Sequence, residues 1–219
     1  MFLWLLMTAV GFLSGSVMYS YLVPKLLRGV DVRENHEDAN PGGTNAADAV
    51  GLPIGLTCIV LDLEKAFVPV FIAVSVLGIR GMPLVPVIVA PVLGHAFSPF
   101  MKFRGGKAVA SSFGALLGAV AISWTVFILV AAMLFFQFII VLKPNSAKVL
   151  VGYATASVAV LLFEPLMAIK VAMLLICFVV WYKHVRHFDS GGFCLGVGPF
   201  HVEYEDRELK FIGPGGHKK

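Results

Sequence analysis

Long apolar runs, separated by short polar segments, dominate the pattern along this chain. Seven can be drawn, at about 2–23, 51–77, 83–101, 108–122, 124–142, 149–163 and 166–182. Several approach the roughly 20 residues that a helix needs to cross a bilayer. The fourth and sixth are short, about 15 residues each, and fit a bilayer only with adjustment. Pro53, Pro69, Pro83, Pro86, Pro91 and Pro99 lie in or near the second and third runs. Inside a helix each frees a carbonyl that a bundle can re-satisfy, so irregular helices are predicted there. The pattern predicts an all-α integral membrane protein with seven transmembrane helices.

Composition agrees. The chain has 219 residues, 58% of them hydrophobic and only 14% charged, with mean hydropathy +0.88. A soluble domain has no use for so much apolar surface. Cys58, Cys177 and Cys194 show neither paired nor metal-ligand spacing, which argues against a structural disulfide or a zinc site. The first 23 residues lack a basic leader and a small-residue cleavage pattern, so they read as a retained helix.

Charge sets the expected orientation. With the N-terminus outside, the inner segments hold Lys25, Arg28 and Arg33; Lys102, Arg104 and Lys107; Lys143 and Lys148; and Lys183, Arg186, Arg207, Lys210, Lys218 and Lys219. Those are 14 of the 17 Lys and Arg. The positive-inside rule then places the motif loops and the C-terminus in the cytoplasm. From Phe188 the composition changes. Gly-rich sequence precedes the alternating Phe200-His201-Val202-Glu203-Tyr204, and the chain closes on Gly213-Pro214-Gly215-Gly216. That pattern predicts a small hairpin and a flexible end. The expected division is 1–187, a membrane domain, and 188–219, a cytoplasmic tail.

Five constellations carry candidate chemistry. Gly15-Ser16 lies in the first run; such a pair serves close helix packing, or offers a hydroxyl to a phosphate oxygen. The loop Asp31-Val32-Arg33-Glu34-Asn35-His36-Glu37-Asp38-Ala39-Asn40-Pro41-Gly42-Gly43-Thr44-Asn45 is either a solvated connector or a nest of backbone and amide donors. Asp62, Glu64 and Lys65 sit deep in the second run. Ionisable groups there are costly, and Asp62 and Lys65, three apart, can pair. Gly94-His95, then Ser98 through Lys107, packs three basic residues and a Gly-Gly pair at the end of a span. Glycine lets backbone N–H groups approach a ligand, and basic side chains supply charge for phosphate. Finally, His184 and Asp189 match a His-x4-Asp acyltransferase spacing, although Lys183-His184-Val185-Arg186-His187 reads better as a basic interfacial belt.

Together these residues resemble the bacterial acyl-phosphate:glycerol-3-phosphate acyltransferases of the PlsY type. The resemblance rests on Gly15-Ser16; Asp31-Val32-Arg33 with Asn40-Pro41-Gly42-Gly43-Thr44-Asn45; Leu61-Asp62-Leu63-Glu64-Lys65; and the stretch Leu93-Gly94-His95 through Gly105-Gly106-Lys107-Ala108-Val109-Ala110-Ser111. It runs in order over residues 15–111. It implies acyl transfer from acyl phosphate to the 1-hydroxyl of glycerol 3-phosphate, giving lysophosphatidic acid for phospholipid synthesis. It implies a bacterial cell-membrane protein that uses no cofactor, metal or nucleic acid. By position it assigns His95 and Ser16 to catalysis. It assigns Arg33, Asn40, Gly42, Thr44, Asn45, Lys65, Arg104, Gly105, Gly106, Lys107 and His184 to substrate binding.

The chain departs from that family pattern in places. Glu37-Asp38-Ala39 stands where the family has Gly-Ser-Gly, Asp48 where it has Arg, and Ala108 where it has Gly. The first two changes put negative charge where a phosphate is to be held. They motivate an alternative, a divergent paralogue with another acceptor or no activity. The charges in the second run motivate a third, a small non-enzymatic transporter.

Overall fold

The computed structural model describes residues 2–34, 38–188, 194–197, 200–205 and 208–212. Its α-helices are α1 (Leu3–Ser16), α2 (Tyr19–Arg28), α3 (Gly43–Val50), α4 (Leu52–Phe71), α5 (Leu84–Ala96), α6 (Val109–Gly118), α7 (Thr125–Leu134), α8 (Asn145–Phe163) and α9 (Met167–Arg186). Four short strands, β1 (Ile140–Lys143), β2 (Cys194–Val197), β3 (Phe200–Glu205) and β4 (Glu208–Ile212), form an antiparallel sheet in that order. In lipid the helices satisfy their own backbone groups, so apolar sequence of this length folds as helix.

Small residues let the helices meet at backbone distance. A β-carbon on Gly15 would run into the Pro91 backbone, and one on Gly94 into the Phe12 carbonyl, so α1 and α5 lie in direct contact. On Gly114 and Gly118 a β-carbon would meet the Leu63 and Phe67 carbonyls, which sets α6 against α4. The core between them is aliphatic, with Val87, Ile88, Leu116, Leu129, Ile169, Met173 and Ile176 buried.

At the end where α8 passes into α9, the buried Glu164 ties α7, α8 and α9 together. It accepts hydrogen bonds from Ser123 (2.5 Å) and Thr125 (3.1 Å), and from the Leu166 N–H (3.0 Å) at the start of α9. The candidate site lies at the other end, where α1, α5 and α9 finish and α6 begins.

The structure differs from the sequence expectation in four ways. The first apolar run breaks at Val17-Met18, where Val17 takes an extended ψ of 121°, and resumes as α2. The fifth run ends in a π-turn over Phe135–Ile139 and then strand β1, so it is not helical to residue 142. Strand β3 falls on the alternating segment as predicted, but it belongs to a four-stranded sheet whose first strand comes from the fifth run. The protein is therefore mostly helical rather than wholly so. The flexible end expected from Gly213 lies outside the described residues. Among those described, four helical stretches are long and apolar enough to cross a bilayer, at 3–28, 84–101, 145–163 and 167–186. Those at 109–118 and 125–139 are shorter. Helix α4 has 20 residues but carries Asp62, Glu64 and Lys65. The expected irregularity near the prolines is present. Pro69 precedes a π-turn at Ile72–Val76, Pro91 lies inside α5, and Pro99 opens a 3-10 turn.

Candidate active site

The break after α1 is the structural origin of the site. It frees the carbonyls of Ser16 and Val17, and both are recaptured by side chains from other elements. Ser98 donates to the Ser16 carbonyl at 2.6 Å, and the Lys65 ammonium donates to that of Val17. Lys65 also pairs with Asp62 at 2.7 Å, with both side chains 2% exposed. Ser20, at the start of α2, donates to the other oxygen of Asp62. Ser14 anchors the same junction by donating to the Lys65 carbonyl at 2.7 Å. Asp62 and Lys65 therefore form a buried pin holding the α1–α2 break, as the three-residue spacing allowed, while Glu64 is exposed and takes no part.

His95 and the Gly-Gly loop form the next layer. The Gly106 N–H donates to the His95 carbonyl at 3.1 Å. A side chain on Gly105 would strike that carbonyl, and one on Gly106 the His95 ring at Nε2. Only glycine lets the loop lie this close. The His95 Nδ1 faces Asp62 Oδ1 at 3.9 Å and is buried with no hydrogen-bond partner. Lys183, near the end of α9, donates to the carbonyls of Ala96 (3.1 Å) and Gly105 (2.8 Å), so a cation braces the loop from behind. Ser16 is fully buried and its hydroxyl donates back to the Phe12 carbonyl.

Lys107 brings the two loops together. Its ammonium pairs with Asp38 at 3.0 Å. The other Asp38 oxygen accepts the Asn40 N–H (3.1 Å) and the Asn45 amide (3.0 Å), and that amide also bonds the Asn40 carbonyl (2.9 Å). Burial pushes the Asp38 carboxyl up. The bonds from Lys107, Asn40 and Asn45 outweigh it and hold the group below the usual carboxylate range. His187 lies in the same electrostatic neighbourhood. Burial, then the cations Lys183 and Lys107, hold its imidazole below its ordinary value, so it is neutral at pH 7.

The remaining candidates are placed less centrally. Arg33 is clamped by Asp31 through bonds of 2.9 and 2.6 Å and stacks over Tyr21 at 4.6 Å. That hydrogen bond holds Asp31 below the usual carboxylate range. Thr44 and Arg104 are exposed, as is Asp48. Gly42 lies against the Asn40 side chain. His184 is buried, with Nδ1 2.8 Å from the Val180 carbonyl. Glu37 and Asp189 lie outside the described residues. Among those described, no group of three or more His, Cys, Asp or Glu is placed to hold a metal. Three participants were missed by motif reading: Ser20, Lys183 and Asp38 as a partner of Lys107; Ser98 lay within the predicted stretch, but not its bond to Ser16. The signal for Lys183 was its place beside His184; the others have none, because their partners are remote in sequence.

Between α1, α5 and α9 runs an apolar groove of about 500 Å³ lined by Leu5, Phe12, Val89, Leu93 and Leu175 among others. Phe12 lies one helical turn before Ser16, and Leu93 adjoins Gly94, so the groove and the site share helices α1 and α5.

Fold and site together define a helical, multi-pass integral membrane protein with a basic, glycine-containing loop cluster at one end of its bundle. The profile of the family described as glycerol-3-phosphate acyltransferase matches residues 5–190, and the chain belongs to that family. A glycerol-3-phosphate acyltransferase of Bacillus cereus is 35% identical over 82% of this chain and 86% of its own. One from Thermotoga petrophila is 44% identical, over 55% of this chain; the match spans 59% of that relative's length. Among solved structures, the integral membrane glycerol 3-phosphate acyltransferase PlsY (YgiH), in its glycerol 3-phosphate form, superposes with a TM-score of 0.73. The identity is 27%, covering 84% of this chain and 88% of that one. Its lysophosphatidic acid form gives 0.71 at 25% identity.

Proposed function

We propose that this chain transfers an acyl group from acyl phosphate to the 1-hydroxyl of glycerol 3-phosphate. The products are lysophosphatidic acid and inorganic phosphate. The supporting observation is the Gly105-Gly106-Lys107 loop, packed on His95 and braced by Lys183, next to an apolar groove. In the reaction the hydroxyl oxygen attacks the acyl carbon, the bond from that carbon to the phosphate oxygen breaks, and the hydroxyl proton departs with the phosphate. Acyl phosphate is already activated, so catalysis rests on holding two anions side by side in a recess that excludes water. Lys107, the Asn40–Asn45 segment and the Gly105–Gly106 backbone are the groups for that task. The groove takes the acyl chain, each buried methylene contributing about 0.8 kcal/mol. His95 and Ser16 enter as the buried wall behind the glycine loop, and a substrate reaches them only if that loop moves.

In this reading the chain crosses a bacterial cell membrane seven times, with the N-terminus outside and the site and C-terminus in the cytoplasm. Residues 1–187 form the membrane domain and 188–219 the tail. Fourteen of the 17 Lys and Arg fall on the inner side of that arrangement. The test is an assay of the full chain in lipid or detergent. Acyl phosphate with glycerol 3-phosphate yields phosphate and lysophosphatidic acid in equal amounts. Folded wild-type protein that yields neither refutes the proposal.

A further inference from the structure

The departure at Asp38 has a structural consequence. Three donors converge on its carboxylate: the Lys107 ammonium, the Asn40 N–H and the Asn45 amide. An ammonium with two N–H groups is a donor set for an oxyanion, and here the oxyanion belongs to the chain itself. The neighbourhood is otherwise basic, with His187 lying in the field of Lys183, Lys107 and Arg186. Lys107 is only 12% exposed at its side chain and Asp38 20%, so the pair is screened little by water. A phosphate arriving at Lys107 meets a negative charge already in contact with it, and two anions cannot share one ammonium without repulsion.

We infer that Asp38 is a specificity-determining residue of this chain, an internal anion that occupies the Lys107 site and that a substrate phosphate must displace. This rests on the proposed function for the identity of the substrate, but the competition for Lys107 does not depend on it. The consequence is a weaker hold on phosphate esters than the donors alone would give. Displacement also breaks the Asn45–Asp38 hydrogen bond. Asp48 has no comparable part, since it is exposed on α3.

The experiment compares wild type with Asp38→Asn, Asp38→Ser and Asp48→Asn, all full length in the same detergent. KM for glycerol 3-phosphate and equilibrium binding of inorganic phosphate are both measured. Asp38→Asn and Asp38→Ser each lower KM and the phosphate dissociation constant about tenfold, equivalent to about 1.4 kcal/mol, with kcat altered less than about threefold. Asp48→Asn changes neither. Unchanged or weaker phosphate binding in both Asp38 variants overturns the inference, because Asp38 would then be ordering Asn45 and Lys107 rather than competing with ligand. An equal gain in Asp48→Asn also overturns it, in favour of bulk charge. If wild type turns over no acyl phosphate, the proposed function falls, and phosphate binding still decides the competition.

Discussion

The Asp62–Lys65 pin allows a quantitative test of how the site is held. The two side chains meet at 2.7 Å and are 2% exposed each. Asp62 also accepts from Ser20, and Lys65 also donates to the Val17 carbonyl at the helix break. Removing one partner leaves the other's charge buried and uncompensated, which costs about 3–5 kcal/mol. Asp62→Ala and Lys65→Met are each expected to lose about 4 kcal/mol. At about 2–4 °C per kcal/mol for a chain of this size, each lowers the unfolding midpoint by roughly 8–16 °C. The double variant carries no stranded charge. It still leaves the Ser20 hydroxyl and the Val17 carbonyl short of a partner, at about 1–3 kcal/mol each. Its loss is therefore about 5 kcal/mol rather than the additive 8, a coupling of about 3 kcal/mol for residues in contact. Denaturant unfolding in lipid–detergent micelles measures all four proteins. A double variant whose loss equals the sum of the singles within about 0.5 kcal/mol refutes the account of the pin.

Two further outcomes follow from the loops. Gly106→Ala places a β-carbon against the His95 ring, so the loop must shift and phosphate ester turnover is expected to fall at least about tenfold; turnover equal to wild type would show that the loop–His95 contact is dispensable. The Asp38 carboxyl sits below its unfolded value of about 3.9. Its contribution to stability is therefore full above about pH 4 and is lost as pH falls through the lowered folded value. Acid unfolding profiles of wild type and Asp38→Asn are expected to differ across neutral pH by a constant offset, and to converge only below about pH 4. A difference that changes between pH 6 and 8 contradicts that assignment.

Much of the architecture was legible in the chain. Apolar runs gave the helices, and prolines marked where they bend. The spacing of Asp62 and Lys65 gave their pairing, because three residues is one helical turn. Gly105-Gly106 announced a close backbone approach. The break at Val17 was not legible, since Gly15 and Ser16 are equally at home in a continuous membrane helix. Strand β1 was hidden for a related reason: Ile140-Val141-Leu142 is as apolar as any helix segment, and only its pairing with β2 makes it a strand.

The sequence by itself determined the class, the family and the order of the motif loops, because hydrophobic length and local spacing act through near neighbours. The tertiary structure alone decided which charges meet. Lys183 reaches the Gly105 carbonyl across 78 positions, and Ser98 reaches that of Ser16 across 82. Asp38, read along the chain as a charge that repels phosphate, is held by Lys107 from another loop. Helix packing chooses such partners, and no local pattern records the choice.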